Sequence, residues 1–121
     1  MMLLTKAIRE KLPRLRSTDK SKGQATVWLK LFDPCGSWTW YAWEGENVLD
    51  EEGNVVDYHL FGLVDGFEKE MGYFSLSEIE SVKGPLGIGI ERDMYWTPIT
   101  VAELLRKEGL GSLADAIERG E

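Results

Sequence analysis

His59 is the single histidine of a 121-residue chain, and its surroundings make it the first candidate for proton chemistry. Asp57 stands two residues before it. Glu70 comes diagonally opposite if Asp65-Gly66 closes a two-residue hairpin, and two carboxylates so placed could orient the imidazole for acid–base work. The same trio also reads as a strand histidine hydrogen-bonded to acids on a partly covered face. Glu91, Arg92 and Asp93 set three charges between Ile90 and Met94-Tyr-Trp96, so at least one ion pair is expected to be partly desolvated, as a specificity device or as part of a site. An enzyme built here would use His59, Asp57, Glu70, Glu91 and Asp93 converging on one pocket for metal-assisted or acid–base hydrolysis.

Other chemistries have thinner support. Cys35 is the lone cysteine, in the turn sequence Asp33-Pro-Cys-Gly-Ser37, and His59 is the only base it could use as a nucleophile. One histidine and one cysteine fall short of a zinc ligand set, although oxygen ligation of magnesium stays open, and no cofactor is implied. The three glycines of Gly84-Pro-Leu-Gly-Ile-Gly-Ile90 offer backbone N–H groups to a phosphate, yet the segment lacks the Gly-Lys-Ser/Thr ending and reads also as a tight backbone crossing. Trp38 and Trp40 project to one face of their strand, Tyr41 and Trp43 to the other. Two apolar faces need cover, from helices or from a partner, so these rings, with Glu68, Glu70 and Arg92, form the candidate binding set.

The elements that must position these residues follow from local signals. Thr5 caps a short helix through Leu12 that Pro13 ends, and Ser17 to Gly23 reads as a mobile linker, so residues 1–24 form a basic N-terminal helix and linker. Ala25 to Phe32 and Ser37 to Glu44 read as a first hairpin, and Val55 to Val64 with Phe67 to Phe74 as a second. A two-residue Asp65-Gly66 loop sets Val64 opposite Phe67, Leu60 opposite Met71 and Tyr58 opposite Tyr73 on the core face. Leu63, Phe61, His59 and Asp57, with Glu68, Glu70 and Phe74, then occupy the other. Ser75 with Glu78, and Thr100 with Glu103, have capping-box spacing for two helices, the second stopped by Gly109; a last amphipathic turn runs from Ser112 to Arg119. Strands clustered ahead of helices predict one α+β domain over 1–121, an antiparallel sheet of about four to five strands built from two hairpins with short helices packed on it.

Charge is divided unevenly. The net charge is −7, yet residues 1–30 hold eight Lys or Arg against Glu10 and Asp19, a local +6 that leaves −13 on the other 91 residues. Lys6, Arg9, Lys11, Arg14 and Arg16 are thus the electrostatic route to nucleic acid, or else a basic segment that docks on its own acidic body. No run of residues approaches the ~20 apolar positions of a membrane span, and a lone cysteine suits the cytosol, the expected compartment.

Trp38-Thr-Trp-Tyr-Ala42, Leu60-Phe-Gly-Leu-Val64, Gly72-Tyr-Phe-Ser-Leu-Ser-Glu78, Gly84-Pro-Leu-Gly87 and Ile90-Glu-Arg-Asp93 form an ordered series. It resembles the domain of unknown function 2958 family over nearly the whole chain, from Leu3 to the helix at Thr100. The resemblance implies a bacterial cytoplasm and a place among the cargo of plasmids, conjugative elements and phages, and it implies no reaction. The leading expectation is therefore a non-enzymatic binding or accessory protein, of counter-defence or DNA-transfer type, that contacts a host or element-encoded protein. A small hydrolase and a single-stranded nucleic-acid-binding module are the alternatives, and a homo-oligomer is compatible with each.

Overall fold

A computed structural model describes residues 2–121. In chain order the elements are α1 (Lys6–Lys11), β1 (Thr26–Val27), β2 (Leu29–Phe32), β3 (Thr39–Leu49), β4 (Val55–Asp65), β5 (Lys69–Ser75), α2 (Leu76–Ser81), a 3-10 turn (Pro85–Gly87), β6 (Glu91–Arg92), β7 (Ile99–Thr100), α3 (Val101–Lys107) and α4 (Gly111–Glu118). Five strands make an antiparallel sheet in the order β5-β4-β3-β2-β6, and β1 pairs with β7 in a separate two-stranded ribbon. The α+β class and the helix positions are those expected. The single strand expected over Ala25 to Phe32 divides at Trp28, because its two halves find different partners.

Of the two capping boxes expected, Thr100–Glu103 forms in full and Ser75–Glu78 only in its hydroxyl half. Thr5 accepts the Ile8 N–H, Ser75 accepts the Glu78 N–H, and Thr100 and Glu103 form a reciprocal capping box. These bonds start helices too short to stand alone, so packing supplies the rest. Both sheet faces are covered from within the chain. Leu3, Leu4 and Leu12 around α1, with Ile79 of α2, bury Leu29, Leu31, Trp40, Tyr58, Leu60 and Phe74 on one face. Val101, Leu104 and Leu105 of α3 and Ala114 of α4 bury Val27, Tyr41, Trp43 and Leu63 on the other. Short helices suffice because three of them, α2, α3 and α4, and the N-terminal segment around α1 divide the work.

The second hairpin departs from the expected register. Val64 faces Glu70, Leu63 faces Met71, Phe61 faces Tyr73 and Leu60 faces Phe74, a slip of three residues along β5. An odd slip leaves the faces of β4 unchanged and reverses every side chain of β5. Tyr58 and Leu60 stay in the core as expected, whereas Tyr73 turns outward at 58% exposure and Phe74 turns inward at 6%. The loop is Gly66-Phe67-Glu68 rather than Asp65-Gly66, with the Gly66 N–H bonded to the Glu68 carbonyl at 3.1 Å. A two-residue type I′ turn needs left-handed backbone at Gly66, and Gly66 does not adopt it. It is glycine for another reason: a Cβ there would fall into the Trp38 ring.

Candidate functional site

The catalytic set expected around His59 is dispersed. His59 shares its face of β4 with Leu63 and pairs with Glu46 and Ser75, while Glu70 stands opposite Val64 on the reverse face. The three-residue slip separates them. Glu91 pairs with Phe32 on β6, three strands from β4 and, along the strands, six residues from the level of His59. Strand spacings of about 4.8 Å and rises of about 3.4 Å per residue put Glu91 about 25 Å from the imidazole. Asp93 follows on the same side and pairs with Lys30 at 3.5 Å. Glu70, Glu91 and Asp93 line three different depressions. Among the described residues no group of three His, Cys, Asp or Glu is placed to hold a metal ion.

Asp57 has a structural task. Its carboxylate accepts the Tyr58 N–H at 2.8 Å, the Ser77 N–H at 3.1 Å and the Ser77 hydroxyl at 2.6 Å, which ties β4 to the first turn of α2. The Ser77 hydroxyl, then the two N–H groups and the charge of His59, hold its pKa below the usual carboxylate value against the opposing effect of desolvation. Cys35 is exposed in the β2–β3 loop, at the end of the sheet remote from His59. The Gly84 to Ile90 segment closes on itself. The Gly84 N–H bonds Ile88 O at 2.7 Å, the Gly87 N–H bonds Gly84 O at 3.1 Å, and the Ile88 N–H bonds Pro85 O at 3.2 Å. Those donors are spent within the turn, so the tight crossing describes it better than a phosphate cradle.

Of the aromatic binding set, Trp40, Tyr41 and Trp43 are buried at 7%, 7% and 4% exposure and belong to the two cores. Two-sided cover, by the segment around α1 and by α2 on one face and by α3 and α4 on the other, removes them from the surface and decides for helices over a partner. Burial, followed by the charges of Glu108, Asp65 and Asp93, pushes the Tyr41 hydroxyl up to about 12. Trp38 stays partly open, and it stacks edge-on with Phe67 at 5.2 Å between ring centroids. Arg92 donates to the carbonyl of Met2 and helps seat the N-terminus.

The one residue of consequence absent from the expected set is Glu44, a carboxylate only 2% exposed. A β-bulge between Ala42 and Glu44 sets Glu44 opposite Phe61, so that it and Trp43 turn toward the same face of β3. Its Oε1 accepts the Arg16 N–H at 2.7 Å, and its Oε2 accepts the Thr18 N–H at 3.2 Å and the Thr18 hydroxyl. Glu46 accepts the Leu15 N–H at 3.0 Å, and the Gly45 N–H reaches Pro13 O at 2.9 Å. The segment expected as a mobile linker is therefore a series of turns clamped to β3. Arg16 is held there at a φ of 68°, a left-handed backbone uncommon for a non-glycine residue. The clamp uses backbone donors, which leaves Lys6, Lys11, Arg14, Arg16, Lys20 and Lys22 exposed instead of paired with the acidic body.

At the opposite side, β5 ends the sheet with no strand beyond it among the described residues. Met71 and Tyr73 stand exposed at 38% and 58% on one side of that edge, and Tyr73 continues the ring series Trp43–Phe61–Tyr73 outward. On the other side Trp38, Val64, Gly66, Phe67, Glu68 and Glu70 line a groove of about 300 Å³. Phe67 is 94% exposed at the hairpin tip. The nearest lysine, Lys69, is turned away and donates to Glu108 O at 2.8 Å.

Fold and surfaces together define a small α+β domain with a five-stranded antiparallel sheet covered on both faces. No helix of the described residues is long and apolar enough to cross a membrane. The chain belongs to the family described as protein of unknown function (DUF2958), whose model matches residues 3–106. Neither curated proteins nor solved structures give a match.

Proposed function

We propose that the protein is a non-enzymatic binding protein that recognises an extended, basic segment of a protein partner along β5. The observation that carries this reading is the open edge of β5 beside the Trp38–Phe67 groove, whose rim carries Glu68 and Glu70. An edge strand offers unpaired N–H and C=O groups to an added strand, and alternate side chains of that strand then meet flanking pockets. A Lys or Arg of the partner would lie against the Trp38 and Phe67 rings with its charge among the two carboxylates. Dispersal of His59, Glu70, Glu91 and Asp93 weighs against the hydrolase alternative. In the setting of a mobile element the partner would be a host or element-encoded protein, in the cytoplasm. Glu68→Lys with Glu70→Lys, and separately Phe67→Ala, change exposed residues only; each is expected to weaken partner capture at least tenfold without altering the unfolding midpoint. Unchanged capture by both variants refutes the assignment of this edge.

A further inference from the structure

A second groove, of opposite charge, lies at the other edge of the sheet. β6 covers β2 only at Leu31 and Phe32, so the outer edge of β2 at Leu29 and Lys30 is left to α1 and to the chain that follows Asp93. Between them runs a depression of about 270 Å³ whose lining includes Lys11, Lys30, Arg92, Trp28, Trp96 and Asp93. Asp93, the one carboxylate of the lining, pairs with Lys30 at 3.5 Å and Arg92 donates to the Met2 carbonyl, so Lys11 adds positive charge beyond that pair, on a chain whose net charge is −7. The lysines already stand over rings: Lys11 Nζ is 4.8 Å from the Trp28 centroid, and Lys30 Nζ is 5.8 Å from the Trp96 centroid. The Trp96 indole N–H donates to Val27 O at 2.9 Å, which fixes the ring in position. Met94 of the lining is 62% exposed, and Tyr95, beside it in the chain, is 91% exposed.

We propose that this groove binds single-stranded nucleic acid, with a phosphate beside Lys11 and Lys30 and a base against the neighbouring indoles. Flat apolar walls beside clustered cations match the two halves of a nucleotide, and stacking on rings of this kind serves any base. The volume suits one unit of the strand, and the exposed Tyr95 offers a ring for the next. A duplex keeps its bases paired and stacked inside, out of reach of such rings. The exposed lysines left over from the backbone clamp, Lys6 on α1 in particular, extend the positive field toward the groove. This site is independent of the β5 edge, and either can fail without the other.

The test is fluorescence anisotropy with a labelled oligothymidylate of about twelve nucleotides, a length within the range such surfaces occupy. Binding is expected to weaken at least tenfold between about 50 mM and about 500 mM salt, because two or three neutralised phosphates release counterions. Lys11→Glu is expected to weaken binding at least fivefold at the lower salt, whereas Lys20→Glu, the same charge change beside Trp43 and Phe61 on the other sheet face, changes it less than twofold. Both positions are exposed, so neither variant should disturb folding. No binding at the lower salt overturns the proposal. Equal losses from the two variants overturn it as well, since diffuse charge would then account for the affinity. Mononucleotide binding as tight as that of the oligonucleotide would replace the strand with a free nucleotide as the ligand, and so refutes the proposal as stated.

Discussion

Replacing Glu44 by Gln tests the clamp between the N-terminal segment and the sheet with almost no change of shape. The carboxylate receives two backbone N–H groups and one hydroxyl, from Arg16 and Thr18, at a site closed to water. An amide turns one of its two ends into a donor, so one backbone N–H loses its acceptor whichever way the amide is rotated. The surviving bond changes from charge-assisted to neutral. A charge-assisted bond contributes about 1.5–3 kcal/mol and a neutral one about 1, and the displaced N–H regains some solvation if the segment lifts, so the net loss should be about 2–3 kcal/mol. For a domain of this size that corresponds to a fall of about 10 °C in Tm. The assay pairs urea unfolding with limited trypsin digestion, because Arg14, Arg16, Lys20 and Lys22 lie in the clamped segment. The variant should be cut first within this segment while the sheet remains intact. Stability within about 0.5 kcal/mol of the parent, together with unchanged cleavage, would show that the carboxylate does not hold the segment and would refute the reasoning.

Gly45→Ala should lower stability by about 2–3 kcal/mol in urea unfolding, because a Cβ at that position would fall within the Tyr58 ring beside a bulge that cannot shift without releasing Glu44. The raised Tyr41 hydroxyl predicts an alkaline loss of stability: the folded chain retains a proton that the unfolded chain releases above its ordinary value near 10, so the contribution is complete below about pH 10 and disappears as pH rises through about 12. The loss should approach about 3 kcal/mol, and Tyr41→Phe should remove that part of the pH dependence in unfolding series above pH 9. Thr100→Ala removes the hydroxyl that accepts the Glu103 N–H, leaving only the Glu103 carboxylate on the backbone N–H of residue 100, and should destabilise by about 1 kcal/mol in the same assay, with Thr100→Ser retaining most of the parent stability.

Short-range signals carried much of this fold into the sequence. Thr5, Ser75 and Thr100 mark three helix starts because a hydroxyl three residues before an N–H donor is a local geometry, and the alternation of Trp38 to Trp43 assigns rings to faces because the strand period is two. The second hairpin was half legible. Tyr58 and Leu60 declare the inner face of β4, but the register of β5 depends on Gly66 accommodating Trp38, a contact between residues distant in sequence. That tertiary fact moves Glu70 to the face opposite His59. Glu44 was hidden for a related reason: a carboxylate after four aromatic residues is conspicuous, yet its burial needs a bulge and three donors from a segment that reads as linker. Of the candidate binding set, Trp38, Glu68 and Glu70 do line one groove, whereas Trp40, Tyr41 and Trp43 lie in the cores because cover for both faces comes from the chain's own helices and N-terminal segment, which strand alternation alone does not reveal.

The most direct measurement is capture of partners by tagged protein from the cells that carry it, with the parent compared against Glu68→Lys with Glu70→Lys and quantified by mass spectrometry of the undenatured eluate. Recognition at the β5 edge predicts a stoichiometric protein bound by the parent and depleted at least tenfold in the charge-reversed variant, through a basic segment protected from hydrogen exchange in the complex. A partnerless eluate from the parent, or a partner retained in full by the variant, contradicts it.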